Sequence, residues 1–324
     1  MSPAPRPTRG AGIFKSIPEA IGVTENSIGH RRSRTRRREI ILSLLPIVII
    51  LLVFRVYPIV TALAKSFTNW DGLYRNDWVG LKNYINFVTD GPFWMILRNT
   101  LVLLINVPLQ VFIGIVIALL LYEQIPGWRI YRAVIYTPQI ISAVIIGFLF
   151  KVFFGLEGPF NALLKVIGLG SLAIEWFGNS YTALGVIVFS VVWFSIGWQA
   201  IVILGGLSAI PPSVFEAAII DGANYWQRAF RIVIPMLVRV LEFSVIASGV
   251  WTLTQLFPFL FSMTKGGPGY ETSTLDYMIY LKSFGTGFGR DYGTATAVAM
   301  MLLVLVLVLT LIEMRLANRA DDWA

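Results

Sequence analysis

Residues 181–205 read YTALGVIVFSVVWFSIGWQAIVILG and contain no charged side chain. As a helix, such a stretch is roughly 38 Å long at 1.5 Å per residue, which exceeds the roughly 30 Å hydrocarbon core of a bilayer. An uninterrupted apolar helix of this length is solvated by lipid but not by water. The stretch therefore predicts a membrane-spanning helix, and it decides the class of the fold.

Outward from this stretch, the chain contains further segments of the same length and character. Hydrophobic residues make up 56% of the 324 residues and charged residues only 14%, against about 25% charged in ordinary soluble domains. The sequence predicts an all-α, polytopic membrane protein with six transmembrane helices. The five further spans are residues 40–64, interrupted only by Arg55, and residues 99–122, 133–150, 243–264 and 293–312.

Lysine and arginine predict the orientation of these six spans. The segments on the side of the N-terminus hold 16 of these residues and the opposite loops hold 7. Cytoplasmic loops are the basic ones, so both termini are expected in the cytoplasm. Residues 1–39 hold nine basic and three acidic groups, and their arginine run at 31–38 is suited to anionic lipid. The first span is too long for a cleavable signal peptide and is expected to remain as an anchor.

Several kinds of chemistry are missing from the sequence. The chain has no cysteine, and its single histidine, His30, lies in the basic tail, so thiolate, histidine-triad and zinc sites are not expected. Without a Gly-Lys dipeptide there is no phosphate-binding P-loop of the usual form. The acids Glu123, Glu242 and Glu313 are expected at cytoplasmic helix ends, which disfavours proton coupling. We therefore expect no catalytic residue, metal or cofactor in this chain and no nucleic-acid partner.

The segment between spans four and five carries a motif. Residues 216–223 read EAAIIDGA, and an Ile-Pro pair ends twelve residues later at Pro235 with a second helix between them. Ser213 with Glu216 three positions on has the pattern of a helix-capping box. Gly222 is suited to end the helix. A short helix on the membrane surface is thus predicted, and such a helix can present its side chains to a partner's groove.

This motif resembles the EAA loop of ABC importer permeases, in particular the carbohydrate-uptake group that includes the maltose and glycerol-phosphate importers. Residues 98–100 (RNT), 206–211 (GLSAIP) and 266–268 (GGP) also resemble that group. The resemblance runs from about residue 40 to residue 315. It departs from the group's pattern at Ala229, where phenylalanine is common, although Phe230 is adjacent.

The resemblance implies a type I ABC importer permease fold in the inner membrane of a bacterium. Residues 40–317 would form the permease domain, with a coupling loop at 207–235, a cytoplasmic tail at 1–39 and another at 318–324. A coupling helix at 216–224 would enter a cleft of a cytoplasmic ATPase subunit. The implied coupling residues are Glu216, which would face a basic group, and Ala217, Ala218, Asp221, Gly222 and Ala223.

The same resemblance implies the partners and the energy source. These are a second homologous permease, two ATPase subunits that bind ATP and Mg, a periplasmic or lipid-anchored sugar-binding protein, and membrane lipid. The chain itself would be a non-catalytic subunit. ATP binding by the partners would drive alternating access as a population shift between two states.

Spans four and five place indoles beside hydroxyl and amide groups. Such a mixture suits sugars, which have an apolar CH face and a rim of hydroxyls. The helical spacing places Trp251, Thr252 and Gln255 on one face, one turn from Ser248. Packing between helices, in which Ser, Thr and Gln bond neighbouring helices, is the alternative. By resemblance, the substrate-contacting positions are Trp193, Ser195, Trp198, Ser248, Trp251, Thr252 and Gln255.

The cargo stays open at this point. Chain length and the arginine-rich extension resemble the alginate-importing branch of the family, which implies an acidic oligosaccharide. Arg55 and Lys151 could attract such a cargo, or they could simply extend to lipid headgroups. Glycerol phosphate or a neutral disaccharide is the alternative within the family. Outside it, a membrane-embedded lipid- or sugar-modifying enzyme would need clustered acids, and a non-transporting scaffold would show no nucleotide-stimulated uptake.

Overall fold

The computed structural model describes residues 39, 41–89, 91–124, 126–285 and 290–321, with side chains through residue 315. The basic tail, including His30 and the arginine run, lies outside the described residues. The chain divides into two units, Met1–Thr61 and Ala62–Ala324. The described part of the first unit is helical and belongs to helix α1 (Ile41–Lys65), whose side chains from 41 to 60 are exposed and largely apolar.

The second unit is helical throughout its regular structure. In the ranges that the structure describes, the one β-type pairing is an isolated bridge between Thr68 and Trp78. The helices are α2 (Lys82–Thr89), α3 (Phe93–Leu103), α4 (Asn106–Tyr122), α5 (Trp128–Ile140), α6 (Ala143–Phe153), α7 (Pro159–Val166), α8 (Ser180–Ser208), α9 (Pro212–Ile220), α10 (Tyr225–Met236), α11 (Val238–Thr254), α12 (Phe257–Met263), α13 (Leu275–Phe284) and α14 (Tyr292–Asp321).

Four helical segments are long and apolar enough to cross a membrane: α1, the α3–α4 segment Phe93–Tyr122, α8, and Tyr292–Arg315 of α14. Two bent pairs, α5 with α6 and α10 with α11, raise the number to six if each pair forms one span. The predicted apolar helices one, two, four and six are therefore present, although the second begins earlier than predicted.

The third and fifth predicted spans are not single continuous helices in the structure. The third is broken between Ile140 and Ala143, where α5 and α6 meet at 98°. The fifth ends at Thr254, and the residues expected to continue it form the separate short helix α12. Proline explains the position of these breaks, because it lacks an N–H and strains the preceding turn. Pro138 lies just before the first break and Pro258 just after the second.

Helix α8 forms the centre of the bundle, since most of its mid-helix window is buried. At the end where α9 lies, it packs in one apolar cluster with α4 and α10: Ala118, Ile203, Leu207, Ile210, Val233 and Leu237. Toward its other end it packs in a second cluster with α6 and α12, which includes Ile146, Phe150, Ile187, Phe194, Phe259 and Met263. Between the two clusters, α8 passes α5 very closely. A Cβ on Gly197 would lie 2.6 Å from the carbonyl oxygen of Ile135, so only glycine fits there.

Candidate functional site

A cavity of about 350 Å³ lies in the middle of the bundle, between the two apolar clusters on α8. Its size is at the lower end of the roughly 300–1,000 Å³ typical of small-molecule sites. Helices α4, α5, α8 and α11 all contribute to its wall. The lining residues are Gln110, Gln139, Phe194, Ser195, Trp198, Ala247, Ser248 and Trp251.

Aromatic rings form one part of the wall. Phe194 and Trp251 stack with ring centroids 6.0 Å apart and an interplanar angle of 24°. Trp198, one turn along α8 from Phe194, is 43% exposed and so leaves much of its indole uncovered. Stacked and exposed rings of this kind offer flat apolar surfaces to a ligand.

A buried polar network lies beside the cavity and reaches its wall at Gln110 and Ser248. The side-chain amide of Asn106 donates to the carbonyl of Leu103, so its Oδ1 is the acceptor. That oxygen accepts from Nε2 of Gln110 at 2.9 Å and from the hydroxyl of Thr252 at 3.2 Å. Gln199 donates to the hydroxyl oxygen of Ser248 in the same layer. Polar groups are costly in an apolar interior unless paired, and this layer pairs most of its groups.

Four of the seven positions expected to contact substrate line the cavity together: Ser195, Trp198, Ser248 and Trp251. The other three lie elsewhere. Trp193 packs edge-on against Phe150 at 5.4 Å, and Thr252 is buried against Asn106. Gln255 is exposed, one residue past the end of α11. The expectation of one face shared with Trp251 was therefore wrong, because the helix turns Thr252 toward α4 and stops before Gln255.

The cavity also contains residues that the sequence reasoning missed, namely Gln110, Gln139, Phe194 and Ala247. Phe194 stands in the quoted stretch 181–205 and Ala247 directly precedes Ser248, so both are neighbours of expected positions. Gln110 and Gln139 lie in spans two and three, which carry no indole-and-hydroxyl pattern. A glutamine inside an uncharged span was the available signal, because an amide in hydrocarbon needs a polar partner.

Helix α9 carries the motif. It begins at Pro212 with Pro211 as its N-cap and without a side-chain cap, so the predicted capping box at Ser213 was wrong. Proline fits this position because the first helical N–H groups lack partners in any case. The helix ends at Ile220, four residues before the implied end of the coupling helix. Gly222 has φ +77°, and the amides of Gly222 and Ala223 donate to the carbonyls of Ile219 and Ala218, which is a Schellman C-cap.

The motif side chains divide by exposure. Ala218 is buried, Ala223 is half-buried, and Glu216, Ala217, Asp221 and Gly222 are exposed. Beyond them, Asn224 and Gln227 form a reciprocal capping box that begins α10. Exposed apolar side chains lie within the motif and just after it: Ile219, Ile220, Trp226 and Phe230, of which the last two stack with ring centroids 6.0 Å apart. An exposed apolar patch next to two acids is typical of a protein-binding surface.

At the opposite end of the bundle, two segments singled out in the sequence come together. The side-chain amide of Asn99, in the RNT segment, lies 2.8–3.2 Å from the carbonyl oxygens of Tyr270, Glu271 and Ser273. Thr100 accepts the amide of Leu275 at 3.1 Å. These bonds fix the loop that follows the GGP segment against α3.

Two carboxyl groups have unusual surroundings. Asp276, on α13, is outside the candidate spans; burial raises its pKa to about 6, although bonds from Thr274 and the Tyr277 amide oppose the rise. Its Oδ2 is buried without a hydrogen-bond partner. Glu313 was expected at the cytoplasmic end of the sixth span, and it lies two residues before the end of the candidate span at Arg315. Its Oε1 lies 3.0 Å from where a Cβ on Gly249 would be, beside the middle of α11.

The fold and these sites define the membrane-embedded component of a transport system. Residues 110–322 match the family model described as binding-protein-dependent transport system inner membrane component, and the chain belongs to this family of ABC importer permeases. It is similar to the probable ABC transporter permease YesP of Bacillus subtilis, with 34% identity over 73% of this chain and 76% of the relative. It is also similar to the lactose transport permease LacF of Rhizobium radiobacter, with 33% identity over 74% of this chain and 81% of the relative.

A solved structure supports the fold. It is a bacterial ABC transporter involved in the import of the acidic polysaccharide alginate, with a TM-score of 0.76 and 24% identity over 89% of this chain and 98% of that chain. At this identity the likeness concerns the fold. The predicted type I permease fold is confirmed, and the alternative of a membrane-embedded modifying enzyme is not favoured.

Proposed function

We propose that this chain forms part of the translocation path of an oligosaccharide importer in a bacterial inner membrane. The observation that carries the proposal is the mid-bundle cavity, in which Trp198 and Trp251 stand beside serine and glutamine side chains. Flat apolar rings with a few hydrogen-bonding groups match the two surfaces of a sugar ring. The sugar named for the relative LacF is consistent with this class of cargo.

The end of the bundle that carries the 216–223 motif is the part proposed to couple ATP hydrolysis by the partners to transport. Helix α9 would enter a cleft of an ATPase subunit, with Glu216 facing a basic group there. This chain would hold no cofactor, and ATP and Mg would be bound and hydrolysed by the partners. Closure of an ATPase dimer would then draw the motif helices together and change which side of the membrane the cavity faces, because ATP and loaded binding protein favour the same state.

The assembly proposed around this chain contains a second homologous permease, two ATPase subunits and a periplasmic or lipid-anchored sugar-binding protein. The motif end would lie in the cytoplasm, in agreement with the excess of basic residues on that side. The exposed apolar side chains of α1 would contact lipid or the second permease. The alginate transporter that shares the fold has been solved with a sugar-bound periplasmic protein, which supports a partner of that kind.

Reversing the charge of Glu216 tests the coupling role. In the complete importer in proteoliposomes, Glu216→Lys is expected to insert normally but to lower sugar-stimulated ATPase activity at least about tenfold, the effect of roughly 1.4 kcal/mol. Glu157→Lys is the matched control, since Glu157 is an exposed glutamate outside the motif. Wild-type activity in Glu216→Lys would remove the assignment.

A further inference from the structure

Two helix N-termini converge on the carboxyl of Asp276. This carboxyl is in the first turn of α13, where it accepts the Tyr277 amide at 2.8 Å and pairs with the hydroxyl of Thr274. The backbone N–H groups of Leu256 and Phe257, at the start of α12, are near enough to lower its pKa. The first N–H groups of a helix lack partners within the helix, so a carboxylate beside them is stabilised.

The contact between Asp276 and α12 is incomplete in this structure. The Oδ2 atom of Asp276 is buried and has no hydrogen-bond partner among the described residues, and α12 begins without a side-chain cap. An acceptor without a donor therefore lies beside a helix start without a cap. Bonds to an ionised carboxylate are roughly twice as strong as bonds between neutral groups. Ionisation of Asp276 would thus draw the start of α12 closer, and protonation would release it.

Helix α12 supports the aromatic wall of the mid-bundle cavity. The ring of Phe259 is fully buried, and its centroid lies 5.5 Å from that of Phe194 and 6.4 Å from that of Trp251. These two residues form the stacked part of the wall. Phe259 is within one helical turn of the start of α12, so a displacement there reaches the stacked pair.

The other side of Asp276 is fixed to the bundle. Asn99 and Thr100 of α3 bond to the loop before α13 and to its first residue. The hydroxyl of Ser180, at the start of α8, donates to the carbonyl of Glu271 at 2.9 Å. Because α13 has this base on α3 and α8, a change in the bonds of Asp276 would move α12 rather than α13.

The surroundings of Asp276 contain few groups that titrate near neutral pH. The last turn of α11 and the whole of α12 carry no titratable side chain. Helices α3 and α14 pack on the other side of α13, against Leu275 and Met278. The titratable side chains on α13 near Asp276 and on the loop before it are Lys265, Tyr270, Glu271, Tyr277 and Tyr280. Phenol and ammonium groups ordinarily titrate near pH 10, which leaves Glu271 as the group to control for.

We propose that Asp276 is a positioning residue for transport, whose ionised carboxylate holds the start of α12 and, through Phe259, keeps Phe194 and Trp251 in the arrangement that binds cargo. The inference rests on the proposed transport path. Burial raises the pKa of Asp276 to about 6, so the carboxyl changes its charge between pH 7.5 and 5. Cargo binding should therefore strengthen as the pH rises, although the same ionisation lowers the stability of the fold.

The test measures uptake of two radiolabelled trisaccharides, one of glucose and one of glucuronic acid, into proteoliposomes that contain the complete importer. The binding protein is outside and ATP is inside. The outer pH is 7.5 or 5, and the inner pH stays at 7.5. In wild type we expect the half-saturating sugar concentration to be about fivefold higher at pH 5, with little change in the maximal rate. Asp276→Asn, which is neutral at both pH values, should show the higher concentration at both.

Three further variants separate positioning from a general loss of structure. Asp291→Asn is the matched control, since Asp291 also accepts an amide at a helix start, that of Thr294 at 3.0 Å, but belongs to α14. Asp291→Asn and Glu271→Gln should keep the pH response of the wild type. Phe259→Leu removes the ring through which Asp276 is proposed to act, so adding Asp276→Asn to it should cause no further loss.

Equal half-saturating concentrations at both pH values in wild type, or a wild-type pH response in Asp276→Asn, would overturn the inference alone. A further loss of about fivefold in the double variant would mean that Asp276 acts by a route other than Phe259, which also overturns it. No uptake of either sugar by the wild type at pH 7.5 would overturn the proposed function, and the inference with it.

Discussion

At the scale of single residues, Gly222 shows how one backbone angle ends the motif helix. Its φ of +77° is strained for any residue with a Cβ, and the cost is roughly 1–2 kcal/mol. Gly222→Ala is therefore expected to loosen the C-cap and to speed amide exchange at residues 222 and 223 by a factor of about 5–30. Gly205→Ala is the control, since a Cβ there meets nothing within 4 Å and Gly205 lies inside a regular helix. Equal exchange in the two variants would contradict the prediction.

Helix starts were harder to predict at this scale than helix ends. Ser213 and Glu216 have the spacing of a capping box, but the two prolines before Ser213 begin the helix two residues earlier than that box would and leave Ser213 inside it. The real box is at Asn224 and Gln227, which have the same spacing. Both pairs are three residues apart, but only the second forms a capping box. The sequence spacing does not distinguish them, because the path of the backbone decides where each helix begins.

Asp276 gives a pH dependence with a definite sign. Burial raises its pKa from 3.8 to about 6, so the folded state favours the protonated form. Its stabilising contribution is complete below about pH 3.8 and is lost as the pH rises through about 6. The thermal midpoint is therefore expected to rise when the pH falls from 7.5 to 5.

In the variant Asp276→Asn, most of this rise in the thermal midpoint should be lost. The midpoint is measured in detergent by tryptophan fluorescence as the temperature is raised. Asp71 provides an internal contrast. Three backbone amides lower its pKa below the ordinary value, so it does not titrate in this range. If the thermal midpoint of Asp276→Asn still rises as the pH falls, other titratable groups cause the rise.

At the scale of elements, the join between α3 and the loop before α13 depends on Asn99. This side chain is fully buried and contacts three carbonyl oxygens. Asn99→Ala would leave the Ser273 carbonyl without its donor, at a cost of about 2 kcal/mol, whereas the Tyr270 and Glu271 carbonyls keep bonds from the Ser273 amide and the Ser180 hydroxyl. We expect a lower thermal midpoint and faster amide exchange in residues 270–275. Asn76→Ala, which removes an exposed bond from Lys65, should change little; equal losses in the two variants would contradict the argument.

The elements themselves were predictable to different degrees. Long apolar runs located α1, α4, α8 and α14, because lipid solvation leaves a simple compositional signal. The sequence did not show which spans are broken, although Pro138, Pro235 and Pro258 each lie within a few residues of a break. A proline in a membrane helix can produce a mild kink or a full break, and neighbouring helices decide which, so the sequence left both open.

At the scale of the whole molecule, only part of the cavity lining could be predicted from the sequence. Trp198 and Trp251 belong to patterned stretches and were predicted by resemblance, and the cavity includes them. Gln110 and Gln139 come from two other spans and meet them only through the packing of α4 and α5 on α8. That packing depends on close contacts such as Gly197 against Ile135, which no local pattern specifies.

The number of crossings can be tested directly because the natural chain has no cysteine. Single cysteines placed at five exposed positions should react with an impermeant thiol reagent from one side only. These residues are exposed, and with six crossings Arg129 and Ile220 would lie on the motif side and Tyr74, Val166 and Phe284 on the opposite side. The reagent is applied to sealed inside-out vesicles, which expose the cytoplasmic face, and to spheroplasts, which expose the other face.

If both bent pairs cross the membrane, each successive position along the chain must change side. Arg129 and Val166 flank the α5–α6 pair, whereas Ile220 and Phe284 flank the α10–α11 pair. Labelling of Arg129→Cys and Ile220→Cys in inside-out vesicles, and of the other three in spheroplasts, would establish four crossings between residues 74 and 284 with the motif in the cytoplasm, and α1 and α14 would bring the number to six. Labelling of Arg129→Cys and Val166→Cys from the same side would make α5–α6 a re-entrant hairpin. The cavity residue Gln139 would then stand at the tip of this hairpin, and the wall of the translocation path would contain a re-entrant hairpin in place of a membrane crossing.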